Sequence, residues 1–187
     1  MLYDLIIRGP IYRLLYKRSK PALPALEGKV KKILDIGCGT GFSTRELIRM
    51  GETVGLDRKR SFLRAAKASE VEILVRGDAL HLPFKEETFD LVCMYDLIHH
   101  LKEPEGALSE AKRVLKRRGY FFVKDVKRCG SKEYYLNGLA DWFQLILYRC
   151  PLGRYFSEEE WIRLLRGLNL IEMFSFKNEV FFLGEKP

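Results

Sequence analysis

The stretch Leu34-Asp35-Ile36-Gly37-Cys38-Gly39-Thr40-Gly41-Phe42 constrains this chain more than any other. The apolar run Lys32 to Ile36 leads into it and reads as a short buried strand. Phe42 to Met50, stopped by Gly51, follows it and reads as a helix. The glycines at 37, 39 and 41 therefore mark a sharp strand-to-helix turn. Glycine takes up the required backbone angles without a steric penalty and lets a ligand approach the main chain. The N–H groups of such a turn and of the helix start are expected to face electron-rich ligand atoms. Asp57 ends the next predicted strand, twenty residues after Gly37. At that distance an acid meets ribose hydroxyls in nucleotide-binding βαβ units, and one carboxylate can accept from both hydroxyls.

The rest of the chain alternates. Thr53 to Leu56, Val71 to Val75, Phe89 to Tyr95 and Tyr120 to Val123 read as short strands. Ser61 to Ala68 reads as a helix capped by Ser61. Pro104 to Arg117 reads as a helix stopped by Gly119, with Lys112, Arg113, Lys116 and Arg117 towards its negative end. Ser157-Glu158-Glu159-Glu160 is a capping box before a further helix. Leu170 to Phe176 and Val180 to Leu183 then predict an antiparallel strand pair. This pattern implies βαβ units and a sheet covered on both faces. The expected fold is α/β: a doubly wound, mostly parallel seven-stranded sheet with one antiparallel C-terminal strand, in a single domain over 1–187. Two segments stand outside it. Residues 1–30 form an N-terminal extension, with one or two amphipathic helices broken by Gly9-Pro10. Residues 129–155 are an aromatic-rich insertion holding Tyr134, Tyr135, Trp142, Phe143 and Tyr148.

The glycine spacing is GxGxG rather than the dinucleotide GxGxxG, and Asp35 precedes the first glycine by two residues. A pyrophosphate calls for a helix dipole, whereas an acid beside the turn suits a cationic ligand. The LDIGCGTGF run closely resembles motif I of the class I SAM-dependent methyltransferases. Gly55-Leu56-Asp57, Gly77-Asp78-Ala79-Leu80-His81-Leu82-Pro83-Phe84, Phe89-Asp90-Leu91-Val92 with Leu97-Ile98-His99-His100-Leu101, and Val114-Leu115-Lys116-Arg117-Arg118-Gly119-Tyr120 resemble that family's later motifs. The match runs in order over about residues 31–126, and looks closest to the broad subgroup holding quinone and sterol methyltransferases.

The resemblance implies a Rossmann-like class I fold and S-adenosylmethionine (SAM) as cofactor, with S-adenosylhomocysteine (SAH) as product. It implies cofactor binding by Asp35, Gly37, Cys38, Gly39, Thr40, Gly41, Asp57, Arg58, Asp78, Ala79 and Tyr95. The glycine turn would hold the methionine part, with Asp35 near its amino group and Tyr95 near the methionyl portion. Asp57 would take the ribose. Arg58, Asp78 and the Ala79 N–H would meet the adenine. His99 and His100 are the catalytic candidates, since histidine acts as a base near neutral pH. Alignment of acceptor, methyl carbon and sulfur nonetheless does most of the work in such a displacement. Both histidines packing behind the site is the alternative; adjacent residues do not share a helix face, so at most one points at substrate.

The implied reaction is direct methyl transfer to a small-molecule acceptor, whose pocket is expected from residues 129–155 with help from 1–20. An RNA methyltransferase is the first rival. Residues 1–32 hold eight Lys/Arg against Asp4 and Glu27, which is +6 of the chain's +8. Such a segment suits RNA, a membrane surface or plain solubility; a lid over the cofactor site is the preferred reading. Against RNA, Met94-Tyr95-Asp96-Leu97 stands where an Asn/Asp-Pro-Pro-Tyr/Phe element would serve base amines. A non-catalytic SAM-binding scaffold is a second rival; a nicotinamide oxidoreductase is disfavoured by the glycine spacing. The four cysteines lack zinc spacing and no metal is expected, so free thiols in a reducing cytoplasm are the reading. No apolar run reaches the ~20 residues of a transmembrane helix. Asn and Gln together number four amid many Lys, Arg and Glu, a thermophile pattern.

Overall fold

The computed structural model describes residues 23–128, 154–176 and 179–187. The expected N-terminal helices, and the 129–155 insertion up to residue 153, lie outside the described residues. A 3-10 turn at Leu23–Leu26 precedes β1 (Lys32–Ile36), α1 (Thr44–Leu47), β2 (Glu52–Asp57), α2 (Arg60–Lys67), β3 (Ile73–Arg76) and β4 (Phe89–Tyr95). A second 3-10 turn, Ile98–His100, leads to α3 (Pro104–Val114), β5 (Leu115–Val126), α4 (Glu158–Leu164), β6 (Asn169–Phe176) and β7 (Glu179–Glu185). The strands form one seven-stranded sheet in the order β3-β2-β1-β4-β5-β7-β6. β1 to β5 are mutually parallel, and β7 runs antiparallel to both β5 and β6. This is the doubly wound sheet with one antiparallel C-terminal strand that the strand pattern predicts.

Strict alternation along the strands builds two cores. Leu34 and Ile36 of β1, Val92 and Met94 of β4 and Phe121 and Val123 of β5 pack on one face, with α3 and Trp161 of α4. Ile33, Leu91, Cys93, Phe122 and Phe181 fill the other, beneath Leu23, Leu26 and Leu47. Side chains on neighbouring positions point to opposite faces, so apolar residues on both parities bury the sheet twice. Strand order reverses between β1 and β4, and the crevice at such a switch point, beyond the carboxyl ends of the strands, is where open α/β sheets bind ligands.

Several boundaries differ from the sequence pattern. The helix expected from Phe42 to Met50 is confined to Thr44–Leu47. Ser61 does not cap α2; the helix starts at Arg60, and the Asp57 carboxylate accepts from the Lys59 N–H at 2.7 Å instead. β3 begins at Ile73 rather than Val71. α3 ends at Val114, not Arg117, because Leu115 is fully buried against Phe89 in the sheet and Lys116 reaches Asp90 at 2.7 Å. Tertiary burial overrides helix propensity there. The Ser157 capping box is present, with Ser157 Oγ accepting from Glu160 N and Glu160 Oε2 accepting from Ser157 N. Cys38 and Cys93 are free and buried. No described helix is long and apolar enough to cross a membrane.

Candidate active site

The glycine turn leaves β1 with Gly37, Gly39 and Gly41 at φ of 76°, 54° and 83°. Space closes in on two of them. A Cβ on Gly37 would lie 2.8 Å from Leu97 Cδ1, and one on Gly41 would lie 2.7 Å from Val71 Cγ2. Gly39 has nothing nearer than the Gly37 carbonyl at 4.0 Å. Gly37 and Gly41 are therefore demanded by packing as well as by backbone angle. Gly39 alone leaves its surroundings open.

Four of the five N–H groups of residues 37–41 are paired within the protein, where the motif alone suggests free donors. Gly37 N and Cys38 N both donate to the Leu56 carbonyl, at 2.7 and 3.0 Å. Gly41 N donates to Cys38 O at 2.9 Å, and Gly39 N to Asp57 Oδ2 at 3.1 Å. The first three of these residues, Gly37, Cys38 and Gly39, bind the turn to the end of β2, and Gly41 closes the turn on itself, so these amides shape the site.

Asp57 is the hinge of that arrangement. One carboxylate oxygen takes Gly39 N and the other Lys59 N, and the side chain is buried. Burial raises its pKa, opposed by both amides and by the nearby Lys59 and Arg58 charges. Each oxygen keeps acceptor capacity beyond its one amide donor.

A cavity of about 450 Å³ opens beyond β1, β2 and β4. Its wall brings together Gly37, Cys38, Gly39, Thr40, Asp57, Arg58, Asp78, Ala79, Tyr95 and His100. Sequence reasoning missed Phe62, Asp96, Leu97 and Leu101 on the same wall. Phe62 stands in the first turn of α2, five residues after Asp57, with Lys59 Nζ 5.2 Å from its ring centre. Asp96 has φ 47° and is held by Lys124, whose buried ammonium also meets Glu179 at 2.8 Å.

Three expected residues do not line the cavity: Asp35, Gly41 and His99. Asp35 is wholly buried behind the turn, where its Oδ2 accepts from Ser43 Oγ at 2.8 Å and Thr44 Oγ1 at 2.7 Å. Desolvation drives its pKa up to about 6, against those two hydrogen bonds. Its Oδ1 is buried with no hydrogen-bond partner among the described residues. His99 turns away from the cavity, its Nδ1 against Asp125 Oδ1 at the end of β5. Its ring centre lies 3.9 Å from that of His100, which does face the cavity. Asp125 was invisible to the motif reading: it lies 26 residues from His99, beyond the predicted end of its strand. The one available signal was an acid just after the apolar run Tyr120 to Val123, at the carboxyl end of a strand as Asp57 is.

Residues 34–123 match the family model described as a methyltransferase domain. Over these residues, just under half of the chain, it carries a methyltransferase domain. Over 95 residues, 45% of this chain and 40% of the relative, the sequence is 41% identical to a demethylmenaquinone methyltransferase of Lactiplantibacillus plantarum. It is 35% identical over 125 residues, 65% of this chain and 53% of the relative, to one from Corynebacterium kroppenstedtii. The matched part of the chain thus spans about half or less of these curated relatives. A solved Pyrococcus horikoshii protein superposes with a TM-score of 0.75 over 97% of this chain and 93% of that one, at 21% identity, so the methyltransferase domain shares its fold.

The site fits the methyltransferase cofactor. Asp57 keeps spare acceptor positions of the kind a ribose hydroxyl pair needs, Gly39 leaves the main chain approachable, and Asp35 Oδ1 has no donor among the described residues. The cavity volume falls within the ~300–1,000 Å³ of small-ligand pockets.

Proposed function

We propose that this protein transfers a methyl group from SAM to a small-molecule acceptor in the cavity beside Asp57. The observation that carries the reading is the meeting of the glycine turn, Asp57, the Asp78-Ala79 pair and His100 on one cavity wall. SAM, when bound, supplies an electrophilic methyl group on a sulfonium. The chain's own residues hold and orient. Asp57 accepts from the ribose hydroxyls, Arg58, Asp78 and the Ala79 N–H meet the adenine, and Gly37 to Thr40 with Tyr95 surround the methionyl part. Asp35 acts from behind the turn, its unpaired oxygen the place for a donor relayed from the ammonium end. Gly41 acts through the turn's shape.

On the acceptor side, His100 is the residue able to take a proton, and His99 steadies it from behind. Arg154 N donates to the His99 carbonyl at 2.6 Å and the Tyr155 ring stacks 6.0 Å from that of His99, so the chain at the end of the 129–155 segment packs on the turn that carries His100. The relatives named for demethylmenaquinone support an acceptor of small-molecule size.

Calorimetric titration with SAM, SAH and NADH tests the reading, on the native protein and on Asp57→Ala. Binding of both adenosyl ligands, none of NADH, and weakening in the variant is the expected result. Cofactor-free, folded protein that binds neither adenosyl ligand overturns it.

A further inference from the structure

The loop between β3 and β4 delivers Gly77, Asp78, Ala79 and Leu80 to the cavity wall. Its first turn closes on itself, with Leu80 N donating to Asp78 Oδ1 at 3.0 Å and His81 N to Asp78 O at 3.1 Å. What holds the loop against the body of the protein lies on α3. Arg113 donates from Nη1 to the Phe84 carbonyl at 2.9 Å and from Nη2 to the Leu82 carbonyl at 3.0 Å. Glu110 Oε2 accepts from Leu82 N at 2.8 Å. The two side chains also pair with each other, Nε to Oε1 at 2.6 Å and Nη2 to Oε2 at 2.8 Å.

A third contact continues the row. A Cβ on Gly106 would stand 3.1 Å from Leu80 Cδ2. Positions 106, 110 and 113 fall on one helix face, and they meet alternate loop residues, Leu80, Leu82 and Phe84. Neither Glu110 nor Arg113 lines the cavity. The planar fork of an arginine can serve two carbonyls and a carboxylate at once, which a lysine cannot.

We infer that Glu110 and Arg113 are positioning residues for the adenine side of the cavity: they touch no ligand, but hold Asp78 and Ala79 in the binding geometry. The inference rests on the reading that SAM binds there. A ligand's apparent affinity falls in proportion to the fraction of protein that is binding-competent. Loosening the clamp therefore weakens any ligand that uses the adenine wall, whether or not it carries the amino acid.

The test is calorimetry on the full chain with SAH and with 5′-methylthioadenosine, which keeps adenine and ribose but lacks the amino acid. Glu110→Gln and Arg113→Lys are titrated below their own melting transitions. Both ligands are expected to weaken by the same factor, about tenfold, as a loop competent one-tenth of the time requires. Folded variants that bind both ligands within about twofold of the native protein overturn the inference, because the clamp would then serve stability alone. A measurement on the native protein guards against variants that fail to fold. By reciprocity, saturating SAH is expected to slow amide exchange at Leu80 and Leu82; unchanged exchange at both, in protein that binds SAH, overturns the inference. Native protein that binds neither SAM nor SAH removes instead the functional reading on which it rests.

Discussion

Asp125 Oδ1 meets His99 Nδ1 across the junction of β5 and the turn after β4, with the two residues 0% and 4% exposed. The carboxylate also accepts from Ile98 N at 2.8 Å and Val126 N at 2.7 Å. His99 and these two amides hold its pKa below the ordinary carboxylate value despite full burial. An ionised acid of this kind assigns the Nδ1 proton to His99 and fixes its ring. Through the ring contact, tilted at 43°, it also sets where His100 stands.

The two histidines are therefore expected to respond differently to truncation. His99→Ala strands the Asp125 charge and costs about 3 kcal/mol in urea unfolding. His100→Ala, at a half-buried cavity position, stays within about 1 kcal/mol of the native protein. In an acceptor screen, turnover falls about a hundredfold in His100→Ala if His100 takes the acceptor's proton.

Asp125→Asn probes the same pair through pH. A carboxyl whose folded pKa is depressed contributes stability above its unfolded value of 3.8 and loses it as pH falls through the folded pKa. The native protein is expected to lose stability faster than Asp125→Asn on acidification below about pH 4, seen in melting temperatures across an acid series. Parallel acid branches for the two proteins would count against the assignment.

Asp35 carries the opposite sign. Its folded pKa is raised from 3.8 to about 6, so the folded state binds more protons than the unfolded state between those values. Its contribution to stability falls as pH rises through that window and is lowest above it. Asp35→Asn, which can still accept from Ser43 and Thr44, is expected to gain up to about 3 kcal/mol over the native protein at pH 8. The gain shrinks towards pH 4. The same variant weakens SAM binding if the orphaned oxygen serves the cofactor's ammonium end.

The glycines of the turn separate into packing and function. Gly41→Ala forces φ 83° on a side chain 2.7 Å from Val71 Cγ2 and 3.2 Å from Ala66 Cβ. A loss of about 3 kcal/mol is expected in chemical denaturation. Gly39→Ala meets no neighbour and costs about 1 kcal/mol for its backbone angle. It is expected to fold but to bind SAH more weakly, because its new methyl stands at the cavity wall. Equal stability of the two variants would refute the distinction.

Local pattern determined a good deal of this protein. Short, near-continuous apolar runs placed the strands, and their alternation with helices implied the sheet's winding. GxGxG at residues 37–41 with Asp57 located the cavity, because turn geometry and strand ends are set within a few residues of chain. The Ser157 capping box was legible for the same reason.

Tertiary structure alone decided the remainder. Val114 ends its helix because Leu115 finds a place beside Phe89, a contact no propensity encodes. α2 starts without the side-chain cap expected of Ser61, and Leu56 absorbs the Gly37 and Cys38 amides because β1 and β2 lie side by side. Asp125 turns His99 away from the cavity, while the Glu110–Arg113 pair grips a loop 28 residues back in the chain. These long-range pairings depend on residues distant in sequence that the sheet and its crossovers bring together. Such pairings carry no spacing signal, since the length of a crossover connection does not specify which side chains it brings together.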